Sequence, residues 1–337
     1  MTRGTLKATL LVMLLGSAST MMQAQNSGPG LIARVLTASS VRELSVPSFS
    51  SWGYPFSDRD HNIYFHYDTG RFDEAALLKL SLNDSNPVIY KLPRKDSDAF
   101  LYGAASVTPA GEVWMVCSKE EKGAYLFSFS SDGKPNAPTE LQVQDGLRPQ
   151  SLVAISSNAF LVSGYFGYGA PKALQGDGFL GLFNDSGNLI KKFDGIRDKT
   201  DLGGDGSKPQ TEGGVAGLNG NVYFLSAKQI TVLSSTGEIV KMIPLPLVNV
   251  PKGAEPMRLF ESGGYLMVQL TAIDRKRNGY HDNRYLLMDE STGEGLALYA
   301  PSPELGNVAV DFSRDTGLIF SKRNHAGKLQ LITAELK

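Results

Sequence analysis

Five short turns of small polar residues and glycine recur along this chain, and each interrupts a pair of short apolar runs. When one residue is taken from each turn, successive turns are 47, 54, 50 and 56 residues apart. A period of this length, with turn residues suited to tight hairpins, is typical of a β-propeller, in which each repeat forms one four-stranded sheet called a blade. The turns are Asn83–Asn86, Ser131–Gly133, Asp185–Gly187, Ser235–Gly237 and Ser291–Gly293, and the steps are counted between Asn86, Gly133, Gly187, Gly237 and Gly293.

The second repeat shows the blade pattern most clearly. Tyr125, Phe127 and Phe129 alternate with smaller residues, as expected for a strand with one face against a core. Turn residues such as Thr108-Pro109-Ala110-Gly111 separate the runs, because glycine tolerates the positive φ of a tight turn. The four predicted strands of this repeat are Phe100–Val107, Glu112–Cys117, Tyr125–Ser130 and Glu140–Gln144.

The last repeat has only three predicted strands, which end with Leu329–Leu336. The segment Leu31–Leu44 precedes the first repeat and has no partner there. We therefore predict an all-β chain of six blades, in which Leu31–Leu44 supplies the outer strand of the sixth blade. This arrangement closes the ring and removes an open sheet edge.

The N-terminus has the pattern of a secretory signal peptide. Arg3 and Lys7 precede the apolar run Ala8–Leu15, and small and polar residues follow. The run is too short to span a bilayer, so we expect cleavage after Ala24 and export to the periplasm or the extracellular space. An uncleaved N-terminal anchor is the alternative. Residues 25–337 are then a single domain, since propellers of this length are common.

Charge and cysteine content exclude some classes of function. Without Arg3 and Lys7 the chain has 31 basic and 34 acidic residues, which does not favour binding to nucleic acid or to an anionic membrane. Cys117 is the only cysteine, so no internal disulfide is possible, and its apolar run predicts a buried thiol. We expect a monomer with no membrane span.

The repeat and its hairpin phrases resemble the six-bladed propellers of the NHL-like and TolB-like group. The phrases are Thr108-Pro109-Ala110-Gly111-Glu112-Val113-Trp114 and Asn219-Gly220-Asn221-Val222-Tyr223, and the resemblance covers almost all of residues 25–337. It implies the architecture more than the chemistry, because the group includes calcium-dependent lactonases and esterases, lyases and binding scaffolds.

We expect the functional face to be the one formed by the loops between second and third strands and by the connections between blades, because the longest segments belong to it. Aromatic and basic side chains in these segments are suited to an interface with a protein, peptide or glycan. The alternatives are an aromatic loop folded onto the blade and a solvated run of charges. The predicted ligand-binding residues are Tyr165, Phe166, Tyr168, Arg275, Arg277, Tyr280, His281, Arg148 and Arg258.

Oxygen ligands from several blades also point to a cation in the channel. Calcium prefers six or more oxygens, carboxylates among them. We expect Arg148 and Arg258 near the same mouth of the channel. In the alternative interpretation, the candidate acidic residues form ion pairs with these arginines instead of binding a cation. The candidate calcium ligands are Asp98, Glu212, Glu255 and Asn307.

No catalytic motif is present, so the catalytic residues stay unknown. The Gly176–Gly181 segment matches G-x-G-x-x-G, but a strand rather than a helix is predicted after it. Of the histidines, His281 and His325 fall on the expected functional face and His61 on the opposite face. We therefore expect a binding module, with a calcium-assisted hydrolase or lactonase as the alternative.

Overall fold

The computed structural model describes residues 31–44, 55–68, 75–81, 87–92, 100–119, 123–193, 214–217, 219–247, 250–274, 279–306 and 308–337. The predicted signal peptide lies outside these residues. The described residues form strands, turns and irregular segments but no helix, so none of them forms a helix that is long and apolar enough to cross a membrane.

Within the described ranges, twenty-five strands form six sheets, and six blades of four antiparallel strands account for all but one of them. The chain begins with β1 (Ala33–Leu36) and β2 (Ser40–Leu44). Blade 1 contains β3 (Phe56–Ser57), β4 (Ile63–Asp68), β5 (Ala75–Leu80) and β6 (Val88–Lys91). Blade 2 contains β7 (Phe100–Val107), β8 (Val113–Lys119), β9 (Ala124–Phe129) and β10 (Thr139–Glu140).

The remaining blades repeat this order from the inner to the outer strand. Blade 3 contains β11 (Leu147–Ser156), β12 (Ala159–Phe166), β13 (Gly178–Asn184) and β14 (Leu189–Lys192). Blade 4 contains β15 (Gly214–Ala216), β16 (Val222–Leu225), β17 (Gln229–Leu233) and β18 (Ile239–Pro244). Blade 5 contains β19 (Ala254–Ser262), β20 (Tyr265–Asp274), β21 (Gly279–Asp289) and β22 (Gly295–Pro301). Blade 6 contains β23 (Val308–Ser313), β24 (Gly317–Arg323) and β25 (Leu329–Ala334), with β2 beside β25.

Apolar side chains pack between every pair of adjacent blades, in six separate clusters. Because successive side chains of a strand point to opposite faces, β4 places Ile63 and Phe65 against blade 6 and Tyr64 against blade 2. Both faces of a blade are thus buried, which explains the nearly continuous apolar runs in the sequence. Cys117 is fully buried in β8, as predicted.

Closure of the ring is confirmed. The strand β2 pairs antiparallel with β25, from Ser40 beside Thr333 to Leu44 beside Leu329. The outer strand of the last blade is therefore contributed by the start of the folded chain, and six blades form.

The prediction for the first half of the N-terminal segment was wrong. The strand β1 pairs parallel with β22 and adds a fifth strand to blade 5. Five residues of β2 are enough to complete blade 6, and pairing on β22 places Leu36 in the apolar cluster between blades 5 and 6. The side chain of Leu36 is 2% exposed there, so its burial favours this position.

Candidate functional site

A cavity of about 490 Å³ lies at the centre of the ring and is lined by residues from all six blades. Its wall is formed by the inner strands and, at one end, by turns that join first and second strands. A volume in this range suits a small molecule or one end group of a larger one. The charged and ionisable groups in the described wall come from blades 5, 6 and 1, whereas blades 2, 3 and 4 contribute apolar and neutral polar residues.

The turn between β3 and β4 carries the most polar part of this wall. The Asp58 carboxylate organises the turn, because it accepts hydrogen bonds from the backbone N–H groups of Asp60 and Asn62. It also accepts hydrogen bonds from the side chains of Asn62 and Tyr64, the latter at 2.8 Å. Among the described residues, His61 is the only non-glycine residue with a positive φ, at 58°. Histidine tolerates this left-handed conformation better than most residues.

That conformation brings His61 to Asp311 on the adjacent blade 6. The His61 Nδ1 atom lies 2.6 Å from Asp311 Oδ2, and Ser57 Oγ donates to Asp311 Oδ1 at 2.5 Å. The Asp311 side chain is 5% exposed and the His61 side chain 42% exposed. A register shift between Ala309 and Asp311 marks a bulge in β23, a feature that commonly redirects a side chain.

The electrostatic effect of this pair favours a charged imidazole. The hydrogen bond to Asp311 raises the pKa of His61 above its ordinary value of 6.5, against the opposing effect of burial. The negative charges of Asp58 and Asp60 raise the pKa further. Since Nδ1 is engaged with Asp311, Nε2 is the ring nitrogen left to meet a ligand.

Arg59 belongs to the same turn and reaches across the ring. Its Nη2 atom donates to the carbonyl oxygen of Gly217, at the β15–β16 turn of blade 4, over 2.7 Å. Blades 1 and 4 are opposite each other in a six-bladed ring, so the Arg59 side chain spans this mouth of the channel.

Arg258 is buried in the channel wall and links three blades. It stands in β19 of blade 5 and donates to the carbonyl oxygens of Ala309 in blade 6 and Pro55 beside β3. Its guanidinium lies 4.8 Å from the ring centroid of Phe260. These contacts give Arg258 a role in holding the ring. Arg258 also lines the cavity, and its role in ligand binding stays a prediction.

The predicted aromatic loop is partly exposed and partly core. Tyr168 is 74% exposed and lies between β12 and β13. Phe166 is 5% exposed and packs edge-on against Phe179 at 5.7 Å, so its prediction as a surface residue was wrong. Tyr165 is half-buried and pairs in register with Arg148, whose Nη1 donates to Ser118 Oγ at 3.2 Å. Alternation along β12 explains why neighbouring aromatic residues have different environments.

The other predicted residues cannot be joined into one site. Arg275 and Arg277 lie outside the described residues, and Tyr280 and His281 are described only as backbone of β21. Of the candidate calcium ligands, Glu255 is half-buried in β19, while Asp98, Glu212 and Asn307 lie outside the described residues. The part of the chain that is described holds no cluster of three or more His, Cys, Asp or Glu side chains suited to a metal ion. The calcium site therefore stays a prediction, which elemental analysis of the purified protein would check.

Sequence reasoning missed the His61–Asp311 pair because the two residues are 250 positions apart. The available signal was an aspartate inside the apolar run Val308–Phe312. A buried carboxylate in such a run requires a hydrogen-bonding or charged partner, which only the fold could identify.

The chain matches no known protein family and no curated protein in sequence. Solved structures are similar to it in fold. The phage phi92 endosialidase has 11% sequence identity and a TM-score of 0.54, over 88% of this chain and 69% of that one. A luciferin-regenerating enzyme has 11% identity and a TM-score of 0.49, over 88% and 97% of the two chains. The WD40 domain of Neurospora crassa Pan2 has 11% identity and a TM-score of 0.45, over 92% and 98%. Identities this low show the fold and nothing about activity.

Proposed function

We propose that this propeller is a binding module for a protein, peptide or glycan partner, and that part of the partner enters the central channel. The observation that carries the proposal is the cavity of about 490 Å³, to which all six blades contribute. Ligand sites are commonly concave, partly apolar and equipped with a few convergent polar groups. The cavity has this character, since charged groups from three blades face an uncharged wall from the other three.

The exposed loop residue Tyr168 and the neighbouring Arg148 supply a second surface for a large partner. Exposed aromatic side chains and arginine are enriched in interfaces. Arg275, Arg277, Tyr280 and His281 extend this surface in our proposal. We also propose that the chain is exported, which N-terminal sequencing of the protein recovered outside the cytoplasm would test by finding Gln25 as its first residue.

Peptide and glycan arrays probed with the purified protein test the binding proposal. Gln150 and Ser262 line the cavity from blades 3 and 5, are half-buried and lie outside the apolar clusters between blades, so Gln150→Trp and Ser262→Phe add bulk to the channel from two sides. We expect array ligands to be lost in either variant that keeps the wild-type unfolding midpoint. Ile190→Ala is the comparison, since Ile190 is exposed on the outer strand β14 and lies outside the cavity lining. Ligands that survive both channel variants, or an array without any ligand, would reject the proposal.

A further inference from the structure

The outer strand of blade 4 exposes a run of apolar side chains. Strand β18 pairs with β17 on one side, and no described strand pairs with its other edge. Four of its six residues are exposed, and none of these four is charged. Ile239 is 47% exposed, Val240 58% and Met242 50%. An uncovered sheet edge of this composition is a place where another strand pairs.

The single charged residue of β18 does not protect this edge. Lys241 is half-buried, and its Nζ donates to the carbonyl oxygens of Glu290 and Ser291 in the turn after β21. Its charge is therefore held against blade 5, whereas a lysine that protects an edge projects into solvent. The outermost strands of the other five blades each have an exposed charged residue, namely Lys91 in β6, Glu140 in β10, Lys192 in β14, Arg34 in β1 and Arg42 in β2.

The backbone of β18 also presents hydrogen-bonding groups at the open edge. The N–H of Leu245 donates to the carbonyl oxygen of Lys228 at 2.9 Å, so the backbone groups of Leu245 point toward β17. Because these groups alternate between the two edges of a strand, Met242 presents its N–H and C=O outward. Pro244 presents only a C=O, since proline has no N–H. The centre of the strand is thus open to pairing, while Pro244 and the bulge near the start of β18 limit its length.

We propose that β18 pairs with β18 of a second copy of this chain, antiparallel and around a twofold axis beside Met242. Each Met242 then exchanges two hydrogen bonds with Met242 of the partner subunit, and Val240 lies opposite Pro244 of the partner subunit. A twofold axis sets a strand against itself, so exposed charges near its centre would meet their like. Of the outermost strands, β18 is the one without an exposed charge. The inference is independent of the proposed ligand, and it replaces the monomer expected from the sequence.

The pairing is short, so the dimer should be weak. It covers residues 240–244 of each chain, whereas stable interfaces bury about 1,200–2,000 Å² in total. We therefore expect a dissociation constant on the order of 10 µM. Sedimentation velocity measures it, and the wild type should change from mostly monomer at about 1 µM to mostly dimer at about 200 µM. A wild type that stays monomeric over this range would overturn the proposal and leave the edge to an extended segment of another protein.

A charge placed at the axis tests the surface. Met242→Lys sets two like charges opposite each other and should weaken the dimer at least about ten-fold. The matched control is Ile190→Lys, which adds the same charge at an exposed position of the outer strand β14 and should dimerise like the wild type. Both variants should keep the wild-type melting temperature, because both positions are exposed. A dimer that Met242→Lys does not weaken would place the interface elsewhere and overturn the proposal.

Cysteine crosslinking tests the register. In Met242→Cys the two thiols lie on a directly opposed pair whose Cα atoms are about 5.5 Å apart, a distance that suits a disulfide. The native Cys117 is fully buried, so it does not compete. With oxidised glutathione as oxidant, Met242→Cys should give a covalent dimer on a non-reducing gel, and the control Ile190→Cys should not. A dimer in which Met242→Cys fails to crosslink would contradict the proposed pairing.

Discussion

Replacement of Arg258 by methionine is the sharpest test of how the ring is held together. The guanidinium donates to two buried carbonyl oxygens on two other blades, and Arg258 itself is 5% exposed. A hydrogen bond to a charged group contributes about 1.5–3 kcal/mol, and the loss of its donor leaves each buried oxygen unpaired. The contact with Phe260 adds about 1 kcal/mol.

An opposing effect reduces this sum, because methionine also removes a buried charge that is costly to desolvate. We therefore expect Arg258→Met to lower the free energy of unfolding by about 3–5 kcal/mol. At roughly 2 °C per kcal/mol for a domain of this size, the melting temperature should fall by about 6–10 °C.

Urea unfolding followed by tryptophan fluorescence measures the difference. The matched control is Arg34→Met, because Arg34 also donates to a main-chain oxygen, that of Lys337, but is exposed. Water replaces the donor there, so we expect a change within about 0.5 kcal/mol. If Arg258→Met is no more destabilising than Arg34→Met, the three-blade contact does not stabilise the ring and this reasoning is wrong.

Three further predictions concern closure, pH and one tight turn. Removal of residues 1–38 should leave unfolding cooperative with a modest loss of stability, since β1 is the one described strand that is lost. Removal of residues 1–44 should also expose β25 as an open edge and promote association, which light scattering would detect. Because the pKa of His61 is raised, the stabilisation from its charged form is fully present below pH 6.5 and is lost as the pH rises through the folded-state pKa. The difference in unfolding free energy between wild type and His61→Asn should therefore shrink toward pH 9. A difference that does not depend on pH would contradict the interaction of a charged His61 with Asp311. At Gly187, where φ is 79°, an added Cβ would lie 2.0 Å from a backbone oxygen of blade 2, whereas at Gly111, which also has a positive φ, no atom lies within 4 Å of it. Gly187→Ala should therefore lower the free energy of unfolding by far more than the roughly 1 kcal/mol expected for Gly111→Ala. Equal losses of stability in urea unfolding would show that blade 2 moves aside without a measurable energetic penalty.

Local pattern was a reliable guide to the strands, whereas the burial of single side chains and the contacts between blades depended on the fold. The predicted strand Tyr125–Ser130 is the strand β9, Ala124–Phe129, displaced by one residue at each end. Phe166 was misplaced because its neighbours suggested a flexible loop, whereas it ends β12 with its side chain toward the core. Nothing local to Leu31–Leu44 indicates that its two halves belong to different blades, since that choice depends on where Leu36 can be buried.

The amino-acid sequence by itself determined the all-β class, the six repeats and the contribution of the N-terminal segment to the last blade. These follow from short-range chemistry, namely turn residues at a regular period and apolar runs of strand length. Only the tertiary structure decided that His61 meets Asp311, that Arg59 spans the channel mouth and that Arg258 joins three blades. Each of these contacts joins residues distant in sequence, and closing the ring is what brings them within hydrogen-bonding distance.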